Sequence, residues 1–417
     1  MEEKTKYLII VGDGMADYPI ENLGGKTPLM EAKTPFMDWM AKHGEIGLVK
    51  TIPNGFTPGS EIANLSILGY DPSCYFRGRG PLEAASLGIR LDPDDIAFRC
   101  NLVTLKDVDN QVLMDDFAAG HIGNEEASQI ILDLDRELGT EEVQFFVGVS
   151  YRHVMVWKEG AAKHFDLDQM ELTPPHDIIG KAIGPFLPGA DKPAQDKNGA
   201  DKILSLMNRS QSLLKNHPIN LTREKRGERP GNSIWLWGQG RAPRMVSLKE
   251  RFGIDGFVIS AVHLLKGIGV CAGLEVIDVP GATGYFDTNY EAKAMYALAG
   301  LKKKDFGYVH VEAPDEAGHM GDLRLKIEAI EAVDEKIVGA ILKGMGEFAR
   351  YRILVLPDHP TPLSIRTHVA DPVPYLIYSN ERKEGWNKFE RFDEVAAGRS
   401  GLYVEDGYKL IERFLSL

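Results

Sequence analysis

Cysteine is scarce in this chain: Cys74, Cys100 and Cys271 are far apart and odd in number. They indicate neither a disulfide framework nor a CxxC site, and a reducing compartment is the natural reading. Cationic residues are outnumbered as well, with 48 Lys and Arg against 61 Asp and Glu and a net charge of −13. That balance argues against nucleic acid or an anionic membrane as partner, because broad phosphate binding needs clustered Lys and Arg. It leaves room for a small anionic substrate held by a few local arginines. Long apolar runs are missing too. The N-terminal MEEKTKYLIIVGDG has an apolar run of only about five residues, too short for a signal peptide, and no later stretch approaches the roughly 20 of a spanning helix. A cytoplasmic enzyme is the expectation. Internal repeats, low-complexity tracts and a P-loop GxxxxGK[ST] are also absent from the sequence. Gly267-Ile268-Gly269 and Gly78-Arg79-Gly80 are weak glycine signals that do not make a nucleotide site.

What is present is an ordinary globular composition, 43% hydrophobic and 26% charged, over 417 residues. That length is more than one core usually organises, so two domains are expected. Lys6–Val11 reads as a buried parallel strand that presents Asp13 at its carboxyl end, where open α/β sheets bind ligands. Thr34–His43 reads as a helix with Thr34 as N-cap. Pro58-Gly59-Ser60 is a turn before the helical spacing of Glu61–Leu68, which puts Ser60 at an anion-favouring helix N-terminus. From Asp92 to Ser247 the character changes. Strands Gln144–Val149 and His153–Trp157, a polar stretch Pro185–Asp201 and a helix Ile203–His217 read as an inserted α+β domain. The expected division is a core of 1–92 and 249–417 with an insertion of 93–248. Strands Phe257–Ala261, Tyr308–Val311, Arg352–Leu356 and Pro374–Tyr378, with a long helix Lys326–Leu342, restore the β/α alternation. The core is therefore expected to be a mixed, mostly parallel sheet covered by helices on both faces.

Seven residues can be grouped into two metal shells around one serine. Asp315 and His319 lie four apart, on one face of a helical turn, and His368 could close their shell. Asp358 and His359 follow a strand, as Asp13 does, and with the Ser60 oxygen they make a second shell of mixed O/N type. Taken alone, a DxxxH pair is more often a surface pair or a cap, and Gly-Asp-Gly more often a turn. Their concurrence at strand ends on one side of a sheet is what raises a two-metal site. A hydroxyl beside divalent cations is a strong nucleophile, and two cations can clamp a phosphoryl group.

The motifs GDGMADYPI, GGKTPL, TPGSEIANLSILGYDP, RGRGPLEAASLGI, PGATGYFDTNYEAKA, EAPDEAGHMGD and LPDHPTPLSIRTH occur in that order. Through them essentially the whole chain resembles the archaeal type of cofactor-independent (2,3-bisphosphoglycerate-independent) phosphoglycerate mutases, in the alkaline phosphatase superfamily. The resemblance implies an alkaline-phosphatase-like core with an inserted cap that closes over the substrate. It implies that Ser60 is the phosphorylated nucleophile, that Asp13, Asp358 and His359 hold the ion that also binds Ser60, and that Asp315, His319 and His368 hold the other. The ions expected are Mn, with Mg, Co or Zn as alternatives, and no 2,3-bisphosphoglycerate is needed. The reaction implied interconverts 3-phosphoglycerate and 2-phosphoglycerate through a phosphoserine, on a small phosphorylated metabolite, in a monomer or small homo-oligomer. Candidate substrate cations are Arg77, Arg79, Arg99, Arg152, Arg241, Arg244 and Lys266, each also readable as a surface or domain-interface ion pair. His121 and His153 could orient glycerate or shuttle protons, or be structural. The sequences around Asp358-His359 and Asp315–His319 also resemble a bacterial branch proposed to act as homoserine kinases, which gives a second expectation: the same serine and metals, with a hydroxy amino acid as acceptor and a separate phosphoryl donor.

Overall fold

The computed structural model describes residues 4–160, 170–190, 197–381 and 389–417. Residues 191–196 of the polar stretch Pro185–Asp201, and the first three residues, lie outside the described residues. In chain order the strands are β1 (Lys6–Gly12), β2 (Glu45–Val49), β3 (Ile96–Val108), β4 (Gln111–Asp116), β5 (Val143–Val149), β6 (Arg152–Trp157) and β7 (Ser233–Gly240). There follow β8 (Gly256–Ile259), β9 (Glu275–Val276), β10 (Phe306–Val311), β11 (Tyr351–Leu356), β12 (Val373–Ser379) and β13 (Tyr403–Val404).

The chain divides into two compact units, Met1–Phe76 with Arg244–Leu417, and Arg77–Pro243. The exchange points therefore lie at Phe76/Arg77 and Pro243/Arg244, not at 92/93 and 248/249. The reason is the helix Arg79–Ser86, which packs on the second unit's own sheet. A Cβ on Gly80 would meet the Ala97 carbonyl at 2.4 Å, and one on Gly240 would meet the Arg77 carbonyl at 1.4 Å. Only glycine lets these backbones approach so closely.

The first unit is built on an eight-stranded sheet of order β13-β2-β12-β11-β1-β10-β8-β9. The central strands β11, β1, β10 and β8 are parallel neighbours, while β12 runs antiparallel to both β11 and β2. β1 is apolar on both sides because both are covered: Leu8, Ile9, Ile10 and Val11 are fully buried. Leu8, Ile10, Val309 and Ile353 share one cluster with helices Pro35–His43 and Tyr290–Leu301. On the opposite face, helix His263–Cys271 lies so close that a Cβ on Gly269 would meet Val258 at 2.6 Å. Each such buried aliphatic side chain contributes about 1.5–3 kcal/mol, which offsets the cost of the polar residues at the strand ends.

One local reading is corrected and another refined. Thr34 stands at the N-cap of Pro35–His43 but makes no capping bond; its hydroxyl goes to Asp38. The cap comes from Asp334, whose carboxylate accepts the N–H groups of Phe36 at 3.2 Å and Met37 at 2.7 Å. The expected helix Lys326–Leu342 lies within one continuous helical run, Leu323–Gly344, which widens at Val333–Val338. That widened stretch contains Asp334, the cap residue.

The second unit is an antiparallel sheet of order β4-β3-β6-β5, with β7 also pairing β3. Phe98, Cys100 and Leu102 of β3 form its core with helices Asn124–Leu138 and Lys197–Leu214. The alternate residues Ala97, Arg99 and Asn101 face the other way. There Ala97 meets Ala84 of helix Arg79–Ser86.

Candidate active site

Adjacent parallel strands of the first unit deliver polar residues from their carboxyl ends. Asp13 follows β1, Asp315 begins near the end of β10, and Asp358 and His359 follow β11. Ser60 opens the helix Ser60–Ile67, and its Oγ lies 3.1 Å from His359 Nε2. The Asp358 carboxylate is held on both oxygens: Oδ1 accepts the N–H of His359 at 2.9 Å, and Oδ2 accepts Asn64 Nδ2 at 2.9 Å. The same Asn64 amide donates to the Ser60 carbonyl at 2.8 Å, so one side chain ties the serine to the aspartate. Tyr308 in turn donates to Asn64 Oδ1.

A second cluster forms around Asp315. His319, one turn on in helix Ala313–Met320, brings Nε2 to 3.2 Å from Oδ2, and His368 brings Nε2 to 3.3 Å from Oδ1. The His319 Nδ1–H donates to the Arg366 carbonyl at 3.0 Å, which leaves Nε2 to face the cluster, 2.9 Å from His368 Nε2. The clusters are contiguous. Thr361 Oγ1 donates to Asp315 and stands 3.3 Å from His359 Nδ1. Ligand atoms of Asp13, Asp315 and His359 lie within 4.8 Å of one another.

Burial and the charges of Asp358, Asp315 and Glu312 hold the Asp13 carboxyl well above the usual range. Burial also pushes Glu312 up to about 8. For Asp315 burial acts in the same direction, but hydrogen bonds from His319 and His368 outweigh it and hold the group well below its ordinary value. His319 is pushed up to about 9, first by its bond to Asp315. Asp13 Oδ1 is buried with no hydrogen-bond partner. Crowded carboxylates, an orphaned oxygen and imidazole nitrogens converging on one another fit divalent cations of the O/N-binding kind. No thiol is part of either cluster.

All seven residues read from the sequence thus come together in the first unit. The substrate candidates divide differently. In the second unit, Arg79 and Arg99 flank Trp237, at 5.6 and 4.6 Å from its ring centroid. Arg99 also pairs with Glu83 at 3.1 Å. Arg152 lies over Tyr151 at 5.2 Å, and His121 meets the same ring edge-on at 6.1 Å. Phe117 and His176, which sequence reading did not single out, join these rings to Trp237 in a continuous aromatic run. Arg77 is exposed, and Arg241 has Asp94 at 3.9 Å. His153 is buried, accepts the Gly148 N–H at 3.0 Å and is pushed down to about 3 by burial, so its neutral ring closes the β5–β6 hairpin and presents no surface to a ligand. In the first unit Arg244 is exposed, and Lys266 pairs with Asp278 at 2.6 Å. Sequence reading also missed Asn64, His310, Glu312, Thr361 and Lys326. A histidine inside the apolar strand YVHV was the available signal.

A family model for 2,3-bisphosphoglycerate-independent phosphoglycerate mutase matches residues 41–220. A protein of Geobacter sulfurreducens named as a probable enzyme of that kind is 51% identical over 98% of this chain and 99% of its own. One of Methanosarcina barkeri, named as that mutase, is 52% identical over 97% and 98%. The chain belongs to the 2,3-bisphosphoglycerate-independent phosphoglycerate mutase family. Among solved structures, a protein of Pyrococcus horikoshii superposes with a TM-score of 0.81 at 31% identity, covering 99% of this chain and 97% of that one. A cofactor-independent phosphoglycerate mutase of Thermoplasma acidophilum superposes with a TM-score of 0.64 at 28% identity, covering 99% of each chain. No helix among the described residues is long and apolar enough to cross a membrane.

Proposed function

We propose that the chain interconverts 3-phosphoglycerate and 2-phosphoglycerate through a phosphoserine at Ser60, without 2,3-bisphosphoglycerate. The observation that carries this is the Ser60 hydroxyl, at a helix N-terminus and 3.1 Å from His359 Nε2, beside two carboxylate–histidine clusters. Asp13, Ser60, Asp358 and His359 would hold one divalent ion, and Asp315, His319 and His368 the other. Mn is the expected metal, and Mg, Co and Zn suit the same donors. When bound, such ions lower the pKa of a coordinated hydroxyl and neutralise charge on a transferring phosphoryl group.

Ser60 Oγ gives up its proton and forms the new P–O bond as the bond between phosphorus and the substrate's C3 oxygen breaks, and that oxygen takes up a proton. Glycerate stays and turns, and its C2 hydroxyl gives up its proton as it takes the phosphoryl group back from the serine, which is reprotonated. The N–H groups at the start of Ser60–Ile67 favour the anion at each stage. Arg77, Arg79, Arg99, Arg152 and Arg241 of the second unit, with His121, and Arg244 and Lys266 of the first, are the groups assigned to the carboxylate and phosphate. The second unit takes the cap role, with its exchange points at Phe76/Arg77 and Pro243/Arg244. A cytoplasmic monomer or small homo-oligomer, with no nucleic-acid or membrane partner, completes the reading. The homoserine-kinase alternative is set aside, because the full-length relatives carry mutase names.

The test is turnover of purified, Mn-loaded protein on 3-phosphoglycerate without 2,3-bisphosphoglycerate, with 2-phosphoglycerate detected through enolase. Turnover that vanishes in Ser60→Ala supports the reading. Absence of turnover with both ions bound, or turnover retained in Ser60→Ala, overturns it.

A further inference from the structure

The two oxygens of Asp13 have different surroundings. Oδ2 lies 2.9 Å from His310 Nε2. Oδ1 has no hydrogen-bond partner and faces His359 Nε2 at 3.6 Å. His310 is itself fully buried on β10, in register with Val11 of β1. Its other nitrogen, Nδ1, lies 3.3 Å from Ser260 Oγ. That hydroxyl already accepts the Val262 N–H at 3.0 Å, so its own proton is free to go to Nδ1. An accepting Nδ1 places the ring proton on Nε2, directed at Asp13 Oδ2. The His310 carbonyl is pinned as well, by the buried Lys293 ammonium at 3.0 Å. The same Nδ1 stands 3.7 Å from Glu312 Oε2, beyond hydrogen-bond range, so Ser260 is its hydrogen-bond partner and Lys293 holds the backbone.

We propose that His310 is a positioning residue for the ion assigned to Asp13. By occupying Oδ2 it turns Asp13 into a one-oxygen ligand whose free Oδ1 is aimed at the space shared with His359 Nε2. This inference rests on the two-ion reading above. It differs from an arrangement the spacing also allows, in which His310 Nε2 itself takes the cation with Asp13 and Asp358. Partners that orient ligands in this way typically change metal affinity by about 10–100-fold when removed.

The experiment is calorimetric titration of the metal-free full chain with Mn, for wild type, His310→Ala, His310→Gln and Ser260→Ala. Thermal unfolding of each metal-free protein is followed alongside. The wild type takes up two ions. His310→Ala weakens one of them by about 10–100-fold and leaves the other, at Asp315, His319 and His368, unchanged. His310→Gln keeps an N–H at the Nε2 position and restores most of the loss, which a lost metal ligand would not allow. Ser260→Ala removes only the hydroxyl that sets the tautomer and weakens the same ion several-fold; it decides the matter if His310→Ala does not fold. Unchanged affinity in His310→Ala or Ser260→Ala overturns the proposal, as does a glutamine variant as weak as the alanine one. A wild type that binds no ion defeats this inference together with the two-ion reading. A wild type that binds two ions, responds as described and does not turn over phosphoglycerate defeats only the proposed reaction.

Discussion

Lys326 meets Asp17 at 2.7 Å with both side chains sealed from solvent, and the same ammonium takes the Thr361 carbonyl at 2.8 Å. Three segments distant in sequence are thereby fixed at one point: the loop after β1, the loop after β11, and the helix Leu323–Ala332. Thr361 is also the residue that spans the two clusters.

Removing one partner of that pair leaves a buried charge alone. Lys326→Met is expected to lower stability by about 3–5 kcal/mol, measured by denaturant unfolding of the metal-free protein. Adding Asp17→Asn should recover much of that loss, since the uncompensated carboxylate is then gone. A single variant as stable as wild type would contradict the buried pairing.

Asn64 donates to both the Ser60 carbonyl and Asp358. Asn64→Ala loses a hydrogen bond to a charged acceptor, a contribution of about 1.5–3 kcal/mol. The expected result is a fall in kcat of about 10–100-fold with a smaller change in KM, read from the enolase-coupled assay. A change confined to KM would place Asn64 in substrate binding instead.

Chelation should abolish turnover, and Mn or Co should restore it. The ions bind the folded chain only, so at a hundredfold excess over Kd one ion adds about 2.7 kcal/mol. The thermal midpoint should fall on adding EDTA and return with metal. Full activity after exhaustive chelation would remove metal from the reaction.

Asp334 gives a pH signature independent of the metals. Burial pushes its carboxyl up to about 6, while an unfolded aspartate titrates near about 3.9. Below about pH 4 both states are protonated. Between the two values the unfolded chain has released its proton and the folded chain has not, so stability falls as pH rises. The loss is complete above about pH 6 and amounts to at most about 2–3 kcal/mol. Asp334→Asn should remove this part of the slope between those limits, compared by unfolding free energy at pH 4, 5, 6 and 7.

The strands were legible wherever apolar runs end in polar residues. Lys6–Val11, Tyr308–Val311 and Arg352–Leu356 lie within β1, β10 and β11, and their ends mark Asp13, Asp315 and Asp358. What was not legible depends on contacts between distant segments. The widened stretch Val333–Val338 carries the Asp334 that reaches Phe36 and Met37. The helix expected at Ile203–His217 runs instead over Lys197–Leu214, with His217 at the N-cap of the next helix, because Pro218 favours a helix start. His310 stood out only as a histidine in the apolar strand YVHV, while Asn64 and Lys326 sit among other polar residues of their helices. The partners of all three lie far away in sequence, so local pattern does not show what they bind.

The seven clustered residues leave the ribosome in two instalments. Asp13 and Ser60 emerge first, and then the whole of Arg77–Pro243 intervenes before Asp315, His319, Asp358, His359 and His368 follow. The intervening unit carries its own core, so it can fold while the first unit still lacks β8, β10 and β11. During synthesis Asp13 therefore waits on a strand with neither parallel neighbour, and the cluster is assembled only in the last part of translation. A nascent chain that has emerged as far as Pro243 would display a second unit with all its strands joined to an unfinished sheet, with the reactive serine present and nothing yet gathered around it.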